Sequence, residues 1–129
     1  MKIILIMLIA LATSGCAVTT SHGRILMLQR GVILTLVHTC TDRAIVNQAG
    51  RGRVGEIVGA TPDEFALQPV VPGERMIHVI VQSVDTDGKV AGVYSESFEI
   101  DRQSTTAQVW IIGNNNSSYG RGRRANCVR

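Results

Sequence analysis

Few residues in this chain could do chemistry. The histidines are His22, His38 and His78, and the cysteines are Cys16, Cys40 and Cys127. His38, Cys40 and Asp42 alternate, so on a strand all three would share one face, and an imidazole beside a thiolate could begin a copper or zinc site. A complete site needs more ligands, and His22 and His78 stand in no defined relation to these. The plainer expectation is one half-exposed strand face, with no metal and no cofactor. A nucleophilic serine would call for a Gly-x-Ser-x-Gly elbow, and a nucleophilic cysteine for a histidine partner. Ser95 and Ser97, mid-strand beside Glu96 and Glu99, supply neither. Paired carboxylates require a cleft, and Asp63-Glu64 and Asp85/Asp87 read more simply as turn residues. No enzyme is expected.

The most specific signal lies at the N-terminus. Lys2 and the amino group make a short positive region, and Ile3 to Ala12 carries no polar side chain. As a helix those residues would span roughly 15 Å, about half of a bilayer core. That length suits the apolar region of a secretory signal better than a membrane span. The run ends in Thr13-Ser14-Gly15-Cys16, which resembles the lipobox of bacterial lipoproteins, with Thr13 where Leu is most frequent. The resemblance implies cleavage before Cys16 and a diacylglycerol on its thiol, since two or three acyl chains hold a small protein stably at a membrane where one does not. Ala17, rather than Asp, after the cysteine leans towards the outer membrane. The expected location is therefore the bacterial cell envelope, lipid-anchored and facing the periplasm or the surface.

Three cysteines are an odd count for a secreted chain. With Cys16 lipidated, Cys40 and Cys127 remain, and an oxidising periplasm invites one disulfide between them; free thiols or pairing between chains are the alternatives. The net charge of +3 is unevenly placed. Residues 17–113 carry eight Lys/Arg against ten Asp/Glu, whereas residues 114–129 carry Arg121, Arg123, Arg124 and Arg129 and no acid. Two Gly-Arg runs stand out: Gly50-Arg51-Gly52-Arg53 and Gly120-Arg121-Gly122-Arg123-Arg124. Such runs serve nucleic acids elsewhere, but an envelope protein seldom meets nucleic acid, and none is expected as a partner. Arg51, Arg53, Arg121, Arg123 and Arg124 are instead candidate anion-binding residues, because the guanidinium fork fits phosphate. The bland alternatives are a glycine hairpin with solvated arginines and a solubilising tail.

The elements that must position these residues read as strands. Residues 24–29 and 32–40 are two extended pieces divided by Gln29-Arg30-Gly31; residues 41–50, which continue the second piece or begin a partner strand, a short strand at Val54–Val58 and an edge strand around Phe65 and Leu67 between Pro62 and Pro69 follow. Ile77, Val79 and Val81 fall on one face of a central strand, with Met76, His78, Ile80 and Gln82 on the other. Asp87-Gly88 signals a hairpin turn. Its partner strand places Tyr94, Phe98 and Ile100 on one face, and a last strand runs through Val109-Trp110-Ile111-Ile112.

These features predict an all-β chain: an antiparallel β-sandwich of about seven short strands, with a small barrel as runner-up. The expected divisions are a signal helix at 1–15, lipid attachment and tether at 16–30, the sandwich at 31–113 and a flexible basic tail at 114–129. The order of elements over roughly residues 32–113 resembles the small Ig-like or transthyretin-like β-sandwich lipoproteins of bacterial envelopes, which implies fold and location but no active site. The expected function is non-catalytic, an accessory subunit or interaction module that meets an envelope protein partner. The alternative is a module for anionic lipid or glycan head groups.

Overall fold

The computed structural model describes residues 18–19, 25–26, 30–114 and 121–128; the expected signal helix and Cys16 lie outside them. In chain order the strands are β1 (Val18–Thr19), β2 (Ile25–Leu26), β3 (Val32–His38), β4 (Arg43–Gln48) and β5 (Gly52–Val58). They continue with β6 (Asp63–Leu67), β7 (Met76–Val84), β8 (Val90–Glu99), β9 (Thr106–Ile112) and β10 (Arg123–Ala125). The described residues contain no helix. One sheet has the order β10-β9-β3-β6 and the other β5-β4-β7-β8, while β1 and β2 pair only with each other. The seven strands expected between residues 31 and 113 are β3 to β9, and the two sheets form a sandwich.

Period-two alternation builds the space between the sheets. Val32, Leu34 and Leu36 of β3 face Ala44 and Val46 of β4, with Ile77, Val79 and Val81 of β7 and Tyr94 and Phe98 of β8 completing the core. Trp110 and Ile112 close it from β9, and the Phe98 and Trp110 rings meet edge-on with centroids 6.0 Å apart. Fully burying side chains of this size stabilises by about 1.5–3 kcal/mol each before entropy is subtracted.

Two expectations need correction. The second sheet is antiparallel throughout, but in the first β9 runs parallel to both β3 and β10. A parallel pair cannot be joined by a tight turn; β3 and β9 are the first and last long strands, and everything between them supplies the connection. The second correction concerns the tail. Residues 123–125 form a strand in register with Trp110, Ile111 and Ile112, Ala125 packs against the core, and Cys127 is bridged to Cys40 with an Sγ–Sγ distance of 2.06 Å. Low apolar content argued for loose chain, but ladder hydrogen bonds and a covalent bridge hold these residues where apolar burial does not. Residues 115–120 of that segment lie outside the described residues. The expected tether also carries structure, the two-rung β1–β2 ladder.

Candidate functional site

The strand directions give the sandwich two ends. At one end β3 and β9 finish, and His38, Cys40–Cys127 and Tyr94 gather. His38 is fully buried and its Nε2 lies 2.5 Å from Ser83 Oγ, linking β3 of one sheet to β7 of the other. Its Nδ1 has no hydrogen-bond partner among the described residues. Burial penalises the imidazolium and lowers the His38 pKa. The Tyr94 hydroxyl donates towards Cys40 Sγ at 3.5 Å and accepts from the Val128 amide at 2.9 Å. His38, Cys40 and Asp42 therefore do not share a face: the first is core, the second is bridged, and the third sits in the turn before β4. Among the described residues no three of His, Cys, Asp and Glu gather where they could hold a metal ion.

The arginines singled out in the sequence lie on opposite flanks. Arg51 and Arg53 belong to the β4–β5 hairpin, where Gly50 and Gly52 take φ of 85° and 99°, a left-handed geometry that glycine adopts without strain. Arg51 Nη2 donates to the Pro69 carbonyl at 3.0 Å. Arg53 Nη2 and Arg43 Nε hold the two oxygens of Glu56 at 2.7 and 2.6 Å. The Arg43 hydrogen bond, joined by the charges of Arg43 and Arg53, keeps the Glu56 carboxyl below its ordinary range.

Arg123, on the other flank, reaches from β10 across the open side of the sandwich to β8. Its Nη1 donates to a Glu96 oxygen and, at 2.7 Å, to the Ser97 carbonyl, while its guanidinium carbon lies 5.0 Å from the Phe98 ring centroid. Gly122 before it runs against β9 so closely that a Cβ there would meet the Val109 carbonyl oxygen at 2.9 Å. Arg121 and Arg124 are exposed, Arg124 pairing beside Ile111. The structure thus brings neither Gly-Arg run to the other, and it commits Arg51, Arg53 and Arg123 to partners within the chain.

The end where β3 and β9 begin holds three arginines that the sequence reading passed over. Arg30, Arg75 and Arg102 line one cleft of about 590 Å3 over Pro69, Pro72 and Ile100. Arg75 and Arg102 also line an adjoining cleft of about 520 Å3 with Glu99 and Gln108. All three are exposed, and none makes an ion pair or side-chain hydrogen bond among the described residues. Their acidic neighbours are partly engaged. Asp101 accepts from the Gln103 amide at 3.0 Å and from the Ser104 hydroxyl at 3.3 Å, and Glu74 Oε1 accepts from the Val71 amide at 2.7 Å. These arginines come from three separate loops, so no spacing rule could have collected them; only strand order does.

On the outer face of the second sheet, His78 Nδ1 lies 2.6 Å from Ser97 Oγ as an exposed cross-strand pair. No family model matches the chain, and neither a curated protein nor a solved structure matches it.

Proposed function

We propose that this protein is a lipid-anchored, non-catalytic interaction module of the bacterial envelope, held through Cys16 and facing the periplasm or the surface, with the outer membrane favoured by Ala17. The observation that carries this reading is the Cys40–Cys127 bridge. A disulfide that ties the last strand to the first long one belongs in an oxidising compartment. It also uses two of the three cysteines and leaves Cys16, the one at the end of the apolar run, for the lipid.

The free edge of β8 supports contact with a partner through strand addition. Ser97 directs its amide and carbonyl away from β7, where the Glu96 carboxylate and Arg123 take them. Ser95 and Val93 lie two and four residues earlier and point the same way, with no backbone hydrogen bond on that side among the described residues. Val90 and Val93 are both exposed there. The partner is an extended segment of another envelope protein.

Two measurements test this. Intact mass of the protein extracted from membranes should lack residues 1–15 and carry acyl chains, and Cys16→Ser should abolish palmitate incorporation; an unlipidated mature mass would overturn the anchor. Photocrosslinking in cells from a probe at Val93 should yield one dominant protein adduct. Adducts confined to lipid or glycan would replace the protein partner with the head-group reading.

A further inference from the structure

The two ends of the sandwich differ in charge. The end where β3 begins carries Arg30, Arg51, Arg75 and Arg102 against Glu74, Glu99 and Asp101, so cations exceed acids by one. At the opposite end, where β3 finishes, the turns and strand starts carry Asp42, Asp63, Asp85 and Asp87 against Arg43 and Lys89, so acids exceed cations by two. The chain enters the domain at the basic end, because Arg30 and Gly31 lead directly into β3.

We infer that this basic end is a membrane-docking face, with Arg30, Arg75 and Arg102 receiving the phosphates of anionic phospholipids in the bilayer that carries the anchor. Each guanidinium offers a donor fork matched to phosphate oxygens. Arg51, the fourth arginine there, already donates to Pro69, whereas these three line an open cleft and make no ion pair among the described residues. Chain length fits the placement. Cys16 precedes Arg30 by 14 residues, and a chain of that length reaches no farther than roughly 50 Å even when fully extended. A lipid on Cys16 therefore confines the basic end to within that distance of the head groups, and negative surface potential attracts each cation that comes within about 10 Å of them. The acidic end, with the disulfide, then faces away, and the β8 edge stands along the side, open to a partner. This orientation rests on the lipid-anchor reading, while the phosphate contacts themselves do not.

The test uses the full chain purified from membranes in neutral dodecyl maltoside, with the arginine Nε–Hε resonances followed by NMR. Titration with dihexanoyl phosphatidylglycerol should shift the Arg30, Arg75 and Arg102 resonances together and saturably, and added salt should weaken the binding. The triple variant Arg30→Gln, Arg75→Gln, Arg102→Gln should bind at least about tenfold more weakly, whereas Lys89→Gln with Arg121→Gln, which removes two charges outside this end, should bind nearly as the parent does. Unchanged thermal unfolding of the triple variant certifies its fold, and the corresponding Lys variants, which keep the charge, should bind with intermediate strength. Shifts spread evenly over all arginines, or absent, would overturn the inference. Equal response to inorganic phosphate at the same concentration would also overturn it, making the cleft a site for a free anion. Intact mass on the same sample separates the two readings. An unlipidated chain whose arginines respond loses the anchor alone, and a lipidated chain with silent arginines loses the docking face alone.

Discussion

Arg123 stands over Phe98, its guanidinium carbon 5.0 Å from the ring centroid, although the two residues belong to different sheets. The same side chain reaches Glu96 and the Ser97 carbonyl, and Phe98 in turn meets Trp110 edge-on. One residue from a segment that composition marks as tail therefore closes the flank between β8 and β10 and occupies an edge carbonyl that another strand could have used.

Arg123→Ala should lower stability by about 1–2 kcal/mol. A cation over an aromatic face contributes about 0.5–1 kcal/mol at an exposed site. The ion pair adds less than about 1 kcal/mol, because Arg123 and Glu96 keep 43% and 33% of their side-chain surface in solvent. At about 4–8 °C per kcal/mol for a domain near 100 residues, the thermal midpoint should fall by several degrees. Arg123→Lys should recover only part of this, since an ammonium cannot reproduce the planar fork. An unchanged midpoint in the Ala variant would mean that the clasp contributes nothing to the fold.

Breaking the bridge should cost more. Cys40 and Cys127 are 87 residues apart, and chain-entropy reasoning gives an upper figure of about 4–5 kcal/mol for a loop of that length. β10 pairs over three residues only, so it should leave the sheet before the sandwich unfolds and take the Arg123 clasp with it. Limited trypsin digestion reads this directly: reduced protein, or Cys40→Ser with Cys127→Ser, should be cut first at Arg121, Arg123 and Arg124. Equal cleavage rates with and without reductant would sink the prediction.

Much of this architecture is written locally in the chain. The alternation of Ile77, Val79 and Val81 and that of Tyr94, Phe98 and Ile100 name the buried faces of β7 and β8, all within 7% of full burial. The Asp-Gly turn between those strands forms as expected, with Asp85 Oδ1 accepting the Asp87 and Lys89 amides. The parallel neighbours of β9 were not legible, because strand order depends on which long connections close and not on any window of residues. β10 is not legible for a related reason: Phe98 and Glu96, which Arg123 meets, and Cys40, which Cys127 meets just beyond the strand, are 25 to 87 residues distant. The Arg30, Arg75 and Arg102 cluster has no signature in the sequence, because the three residues lie in separate loops that only the strand order brings together. The arginines adjacent in sequence proved to serve hairpin geometry and flank closure.

His38 should make stability fall with acid. Burial holds its folded-state pKa below the ordinary 6.5, so as pH drops the unfolded chain takes the proton first. The contribution is complete above about pH 6.5, declines as pH falls through that value, and stops changing below the folded-state pKa. Glu56 also favours the folded state, but its carboxyl is lowered from 4.5, so its contribution is lost only at more acid pH. Urea midpoints between pH 7 and 5 should fall in the parent and stay nearly level in His38→Gln, which can still meet Ser83 through its amide. Parallel slopes in the two proteins would show that His38 does not carry the effect.

Gly122→Ala and Gly55→Ala offer the sharpest test of packing, because the shorter contact should be the cheaper one. A Cβ on Gly55 would lie 2.5 Å from Phe65 Cε1, and one on Gly122 would lie 2.9 Å from the Val109 carbonyl oxygen and 3.0 Å from Val109 Cβ. Phe65 is only half-buried on edge strand β6, so its ring can swing outward at the loss of some contact with the core. Val109 Cβ and carbonyl belong to the backbone path of β9, which is bonded to β3 on one side and β10 on the other, and they cannot yield without parting a ladder. Overpacking that forces a backbone shift costs about 1–3 kcal/mol. Gly122→Ala should fall in that range and expose the C-terminal arginines to trypsin even with the disulfide intact, while Gly55→Ala should cost less and leave the cleavage pattern unchanged. The reverse order would mean that the β9–β10 contact is looser than the flank sealed by Phe65, and that the disulfide alone holds the last strand in place.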